Sequence, residues 1–177
     1  RNLFKIKKFL EELMKLLKTS ILTLSTLFAV SNFAAAETVV PTTGHGYSAV
    51  TSSTTKTLHD GSLLIKQTSH GVWIGEPNAA NFPLELAANC QSSLLLTAKG
   101  ANIATQGTCT TVDIDGDVLM ATNGASAPDF SDCAWAMYGG TGKYAGVTGS
   151  GPCTLAGPFT KDGTDTKFSW SGKWILP

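Results

Sequence analysis

Two cysteines, Cys133 and Cys153, bracket the stretch that most limits what this chain can become, CAWAMYGGTGKYAGVTGSGPC. Glycines at 139, 140, 142, 146, 149 and 151 permit positive φ and close strand approach, and so many would destabilise a helix. The stretch therefore predicts a β-hairpin with an irregular connection. By the two-residue period of a strand, Cys133, Trp135 and Met137 share one bulky, core-facing side, and Ala134, Ala136 and Tyr138 the other.

The N-terminal part has a different character. Met14 opens MKLLKTSILTLSTLFAVSNFAAA, with basic Lys15 and Lys18, an apolar run from Ile21 to Val30, and small residues Ala34 to Ala36. This is the pattern of a secretory signal, with cleavage expected after Ala36 and residues 1–13 read as an extension upstream of the start at Met14. The apolar run is shorter than a membrane-spanning helix requires and is interrupted by Thr23, Ser25 and Thr26. No stable membrane insertion is expected after cleavage, and the protein is expected to be exported, periplasmic or extracellular. Residues 37–177 are expected to form a single domain.

Past Ala36 the chain carries seven lysines, no arginine and eleven acidic residues, a formal charge of −4. Without the guanidinium forks and basic stripe that a phosphate backbone requires, nucleic acid is a poor partner.

The rest reads as hairpins. Eight segments are expected, near 46–58, 62–74, 84–97, 102–113, 117–123, 133–138, 148–159 and 165–175, with Glu37 to Gly44 a loose lead-in because of Pro41. Turns are expected at His59 to Gly61, at Lys99 and Gly100, and at Asp115 and Gly116, the last a type I′ signal. In the last segment Phe168, Trp170 and Trp174 share one face, opposite Ser169, Ser171 and Lys173. Closing such a sheet into an eight-stranded antiparallel up-and-down barrel removes its edges and leaves an interior that side chains or one small ligand fill. A two-sheet sandwich is the alternative.

Two segments carry a family resemblance. Cys109 ahead of the turn Asp113 to Asp117 (DIDGD), and Gly140 to Gly149 (GTGKYAGVTG), are similar to segments that recur in bacterial exported members of the allene oxide cyclase-like barrel superfamily, which includes the plant dirigent proteins. The resemblance implies an eight-stranded barrel and, by analogy, a possible homo-oligomer. It carries no activity across: the catalytic carboxylate and asparagine of the plant cyclases find no matching positions, and the dirigent arginine has no counterpart past Ala36.

In an exported chain four cysteines suggest two disulfides. Reflection about Lys99 and Gly100 pairs Cys90 with Cys109, and reflection about Lys143 pairs Cys133 with Cys153. A zinc site would want closely spaced cysteines with histidines. GTGKY departs from a phosphate loop, since Tyr144 follows the lysine and Met137 stands where the first glycine belongs. Asp113, Asp115 and Asp117 depart from the calcium-loop order and read as a solvated turn. No metal and no cofactor is expected.

His70 is the histidine set within a strand; facing the interior beside Glu76 or Glu85, it would be a candidate general base. Trp73, Trp135, Phe168, Trp170 and Trp174 are candidates to line a pocket for a small hydrophobic ligand. Three readings follow: a non-catalytic ligand binder, an envelope structural or interaction protein, or an isomerase or cyclase acting on a hydrophobic molecule inside the barrel. Catalysis requires a buried carboxylate or histidine at the pocket; a filled interior favours roles at the surface.

Overall fold

The computed structural model describes residues 37–78, 82, 85–158, 160–161 and 164–177. The signal segment, the start at Met14 and the cleavage point after Ala36 lie outside the described residues. From Glu37 to Pro177 the chain forms one compact unit. Its strands are β1 (Thr38–Thr57), β2 (Leu63–Gly75), β3 (Glu85–Leu96), β4 (Asn102–Val112), β5 (Val118–Ala125), β6 (Ala134–Gly140), β7 (Thr148–Pro158) and β8 (Asp165–Leu176), with a 3-10 turn at Gly142–Tyr144 between β6 and β7. Each strand pairs antiparallel with the next, and β1 pairs with β8 to close an eight-stranded barrel. The closed barrel excludes the sandwich.

One boundary differs from expectation. Strand β1 begins at Thr38, eight residues before Gly46, and its first part pairs with β8 from Thr38↔Leu176 onwards. Pairing with β2 starts only at Gly44↔Gly75, so Pro41 sits where β1 has a neighbour on one side. There the missing N–H of proline is tolerated.

Three hairpins share one turn. At Leu58 to Ser62, Thr97 to Ala101 and Asp113 to Asp117, the first residue's N–H donates to the last carbonyl and the glycine N–H donates back to the first. Only the glycine has positive φ: Gly61 (83°), Gly100 (84°) and Gly116 (86°). A type I′ turn needs two such residues in succession, so the Asp115–Gly116 turn is instead a three-residue loop closed by a glycine bulge.

The interior follows the alternation. Cys133, Trp135 and Met137 are buried, while Ala134 and Tyr138 are exposed. Val40, Leu86, Leu119, Ala121, Tyr144 and Trp174 join Trp135 and Met137 in one core. Both expected disulfides are present, Cys90 to Cys109 and Cys133 to Cys153. Each ties neighbouring strands: Cys90 and Cys109 are register partners, and the Cys153 N–H donates to the Cys133 carbonyl.

Candidate functional site

Three places combine chemistry with geometry: the barrel interior, a carboxylate clasp at one end, and a hollow on the outside.

Inside, large rings lie over strands that have no side chain. Gly44 and Gly46 of β1 leave room for Trp170 and Phe168 of β8; a Cβ on Gly46 would stand 2.8 Å from Phe168 Cε2, and one on Gly44 2.7 Å from Trp170 Cε2. Trp73 enters from β2, with its ring centre 6.0 Å from that of Phe168 and 6.0 Å from that of Trp170. Trp135 lies across β7 and β8, its Nε1–H donating to the carbonyls of Pro152 (3.1 Å) and Ser171 (3.0 Å). Phe82 packs edge-on against Trp174 at 5.0 Å and against Tyr144 at 5.3 Å. The five aromatic candidates thus all lie on the inner side of the barrel, in contact with one another, with Phe82 or with backbone. The indole N–H groups of Trp170 and Trp174 are buried with no acceptor among the described residues.

The clasp joins the two segments that carry the family resemblance. Asp113 is not solvated: its side chain is 4% exposed. One of its oxygens accepts from Lys143 Nζ at 2.7 Å and from the Tyr144 hydroxyl at 2.8 Å; the other accepts the N–H groups of Asp115 and Asp117. Lys143 also reaches Asp115 at 2.7 Å, and its backbone N–H donates to Asp117 at 3.2 Å. Hydrogen bonding from Lys143 holds the Asp113 carboxyl at about 2, against burial, with Tyr144 and the backbone adding to the effect. The same carboxylates, Asp113 first, raise the Lys143 ammonium, and burial followed by Asp113 raises the Tyr144 hydroxyl. The Lys143 ammonium thus lies between the Asp113 and Asp115 carboxylates, 2.7 Å from each. Sequence reasoning treated the two segments separately; what links them is a buried tyrosine and a lysine that come from one turn and satisfy another.

The catalytic candidates are not brought together. His70 faces outwards and is exposed, paired in register with Ala49 and Asn89. Glu76 and Glu85 are exposed, and the histidine beside Glu76 is His45, at 3.7 Å. The reason is parity: buried Ser69 sets the inward face of β2, which puts its neighbour His70 outside.

His70 borders the third place. Two hollows of about 450 Å³ each open on the outer face of β1 to β4 and share Thr68, Gln91 and Thr108. Across β2, β3 and β4 their floor is three registered rows: Lys66, Ser93 and Gln106; Thr68, Gln91 and Thr108; His70, Asn89 and Thr110. Ser52 and Thr54 of β1 extend the lining. The polar alternation is readable in the sequence; the concavity is not, because it depends on how the strands bend.

Comparison of the sequence with protein families and with curated proteins finds no match. Among solved structures the chain is similar to the pterocarpan synthase dirigent protein GePTS1, with a TM-score of 0.50 at 10% identity, covering 83% of this chain and 95% of that one. The chain has a dirigent-like barrel fold. At that identity the likeness speaks for the fold alone. In the described residues no helix is long and apolar enough to cross a membrane.

Proposed function

We propose that this protein is an exported, non-catalytic binding or interaction module of the bacterial branch of the barrel superfamily, acting through its outer surface. Its working domain is residues 37–177. The observation that carries this reading is the contrast between the barrel's two sides. Inside, Trp73, Phe168 and Trp170 fill the space over Gly44 and Gly46; outside, two connected hollows expose hydroxyl and amide groups. The buried carboxylate, Asp113, is neutralised by Lys143 and lines neither hollow. Two disulfides suit an oxidising compartment and support export.

One observation favours a second reading, an apolar ligand held within the barrel. An unpaired buried N–H costs about 1–3 kcal/mol, and a ligand oxygen would satisfy Trp170 or Trp174. Native mass spectrometry of the protein taken from its producing cells, before and after denaturation, separates the two. The oxidised chain without a passenger is the expected result. An apolar species released on denaturation would replace the surface reading with the interior one.

A further inference from the structure

The outer groove limits its own ligand by chemistry, and we infer that it is a saccharide-binding site for a hydroxyl-rich chain. This inference rests on the surface reading above and names its ligand.

The first support is shape. The outside of a barrel is ordinarily convex, yet here it is hollowed beside a bulge at Val50 to Ser52, a feature that bends a strand and sharpens its twist. Three rows across β2 to β4, widened by Ser52 and Thr54 of β1 beside two of them, give a floor of roughly 13 Å by 14 Å, from the rise per residue and the spacing of strands. The two hollows, about 450 Å³ each, share Thr68, Gln91 and Thr108 and so run together as one open groove.

The second support is the state of the polar groups. The side chains of Asn89, Gln91, Gln106 and Thr108 make no hydrogen bond with any other described residue, so their donors and acceptors face the groove unused. Amides offer two donors and an acceptor in one plane, a match for adjacent hydroxyls. Thr68 is fixed by its partners on β1, with Ser52 Oγ at 2.7 Å and Thr51 Oγ1 at 3.1 Å from its hydroxyl oxygen. It is a preorganised point at the centre of the floor.

The third support is what the groove cannot take. No Phe, Tyr or Trp lines it, which disfavours a flat apolar ligand. No carboxylate lines it, which disfavours a cation. Strands β2, β3 and β4 are paired on both sides, so a peptide finds no open edge to extend.

The test is an NMR titration of the disulfide-intact protein with maltohexaose, cellohexaose and N-acetylchitohexaose, following backbone amides and indole N–H signals. Saturable shifts at 66–70, 89–93 and 106–110 with at least one sugar are expected. Gln91→Ala and Gln106→Ala should each weaken that binding about three- to tenfold, the loss of one or two hydrogen bonds. Groove shifts untouched by either substitution would overturn the inference. Silence at the groove and at the indoles with all three sugars would overturn the saccharide assignment and leave the surface reading standing. Shifts confined to the indoles of Trp170 and Trp174 would place the sugar inside and overturn both.

Discussion

Substituting Gly46 by alanine tests whether the barrel is filled as described. Gly46 has a neighbour on each side, Phe168 of β8 and Trp73 of β2, and its φ is not in the left-handed region, so alanine meets no backbone strain there. The added methyl would stand 2.8 Å and 2.9 Å from Phe168 Cε2 and Cε1, where carbon atoms prefer about 3.5–4.0 Å. The ring must withdraw by on the order of 1 Å, towards Trp73, whose ring centre is only 6.0 Å away. Overpacking of this kind costs about 1–3 kcal/mol. Phe168→Ala alone should cost about 2–3 kcal/mol, below the range for a fully buried ring because Phe168 is half-buried. In the double variant the methyl falls into the space the ring vacated, so the two costs should not add; a coupling of about 1–2 kcal/mol in the relieving direction is expected. Urea unfolding with the disulfides intact, followed by tryptophan fluorescence, measures this, since at about 2 kcal/mol per molar the Gly46→Ala midpoint should drop by roughly 0.5–1.5 M. Additivity within about 0.5 kcal/mol would mean that Phe168 does not lie over Gly46, and the argument for a filled interior would fail with it.

Further outcomes follow from the clasp and the bridges. Asp113 binds its proton more weakly folded (about 2) than in its ordinary state (3.8), so its stabilising contribution is complete above about pH 4 and is lost as the pH falls towards 2. Asp113→Asn should flatten that acid limb, with Asp60, Asp129 and Asp132, also lowered, supplying what remains; urea midpoints at pH 2 to 6 that fall equally in both proteins would contradict this. Replacing Cys90 and Cys109 together by alanine opens a loop of sequence separation 19 and should cost about 3 kcal/mol by the chain-entropy estimate, visible as a lower urea midpoint. Trp135→Phe removes the donor shared by the Pro152 and Ser171 carbonyls and should cost about 1–3 kcal/mol, read from thermal unfolding; an unchanged midpoint would show that those bonds contribute nothing.

Much of the architecture was legible because it is written in local signals. The glycine in each of LHDGS, TAKGA and DIDGD marks a turn, and the phase of Phe168, Trp170 and Trp174 marks an inner face. The disulfide register followed from counting about the TAKGA turn for Cys90 and Cys109 and about Lys143 for Cys133 and Cys153. Thr38 to Thr43 was missed because Pro41 argues against a strand with two neighbours, and nothing local tells that closure onto β8 leaves this one with a single neighbour.

The sites were harder to read, for one physical reason: a side chain's role depends on where it meets another, and such meetings come from topology. Asp113 looked solvated because its turn is polar, yet burial under Tyr144 and pairing with Lys143 join positions some thirty residues apart. His70 looked like a base because it lies in a strand, and one position of parity put it on the outer face. The aromatic residues read as a pocket lining, and Gly44 and Gly46 of β1 let Trp170 and Phe168 lie close over its backbone. A ring over a bare backbone occupies the volume a ligand would need, so each Gly44 or Gly46 that admits a ring inside removes interior room. The same closure turns the polar rows of β2 to β4 outwards, where Asn89, Gln91 and Gln106 stay exposed at the groove.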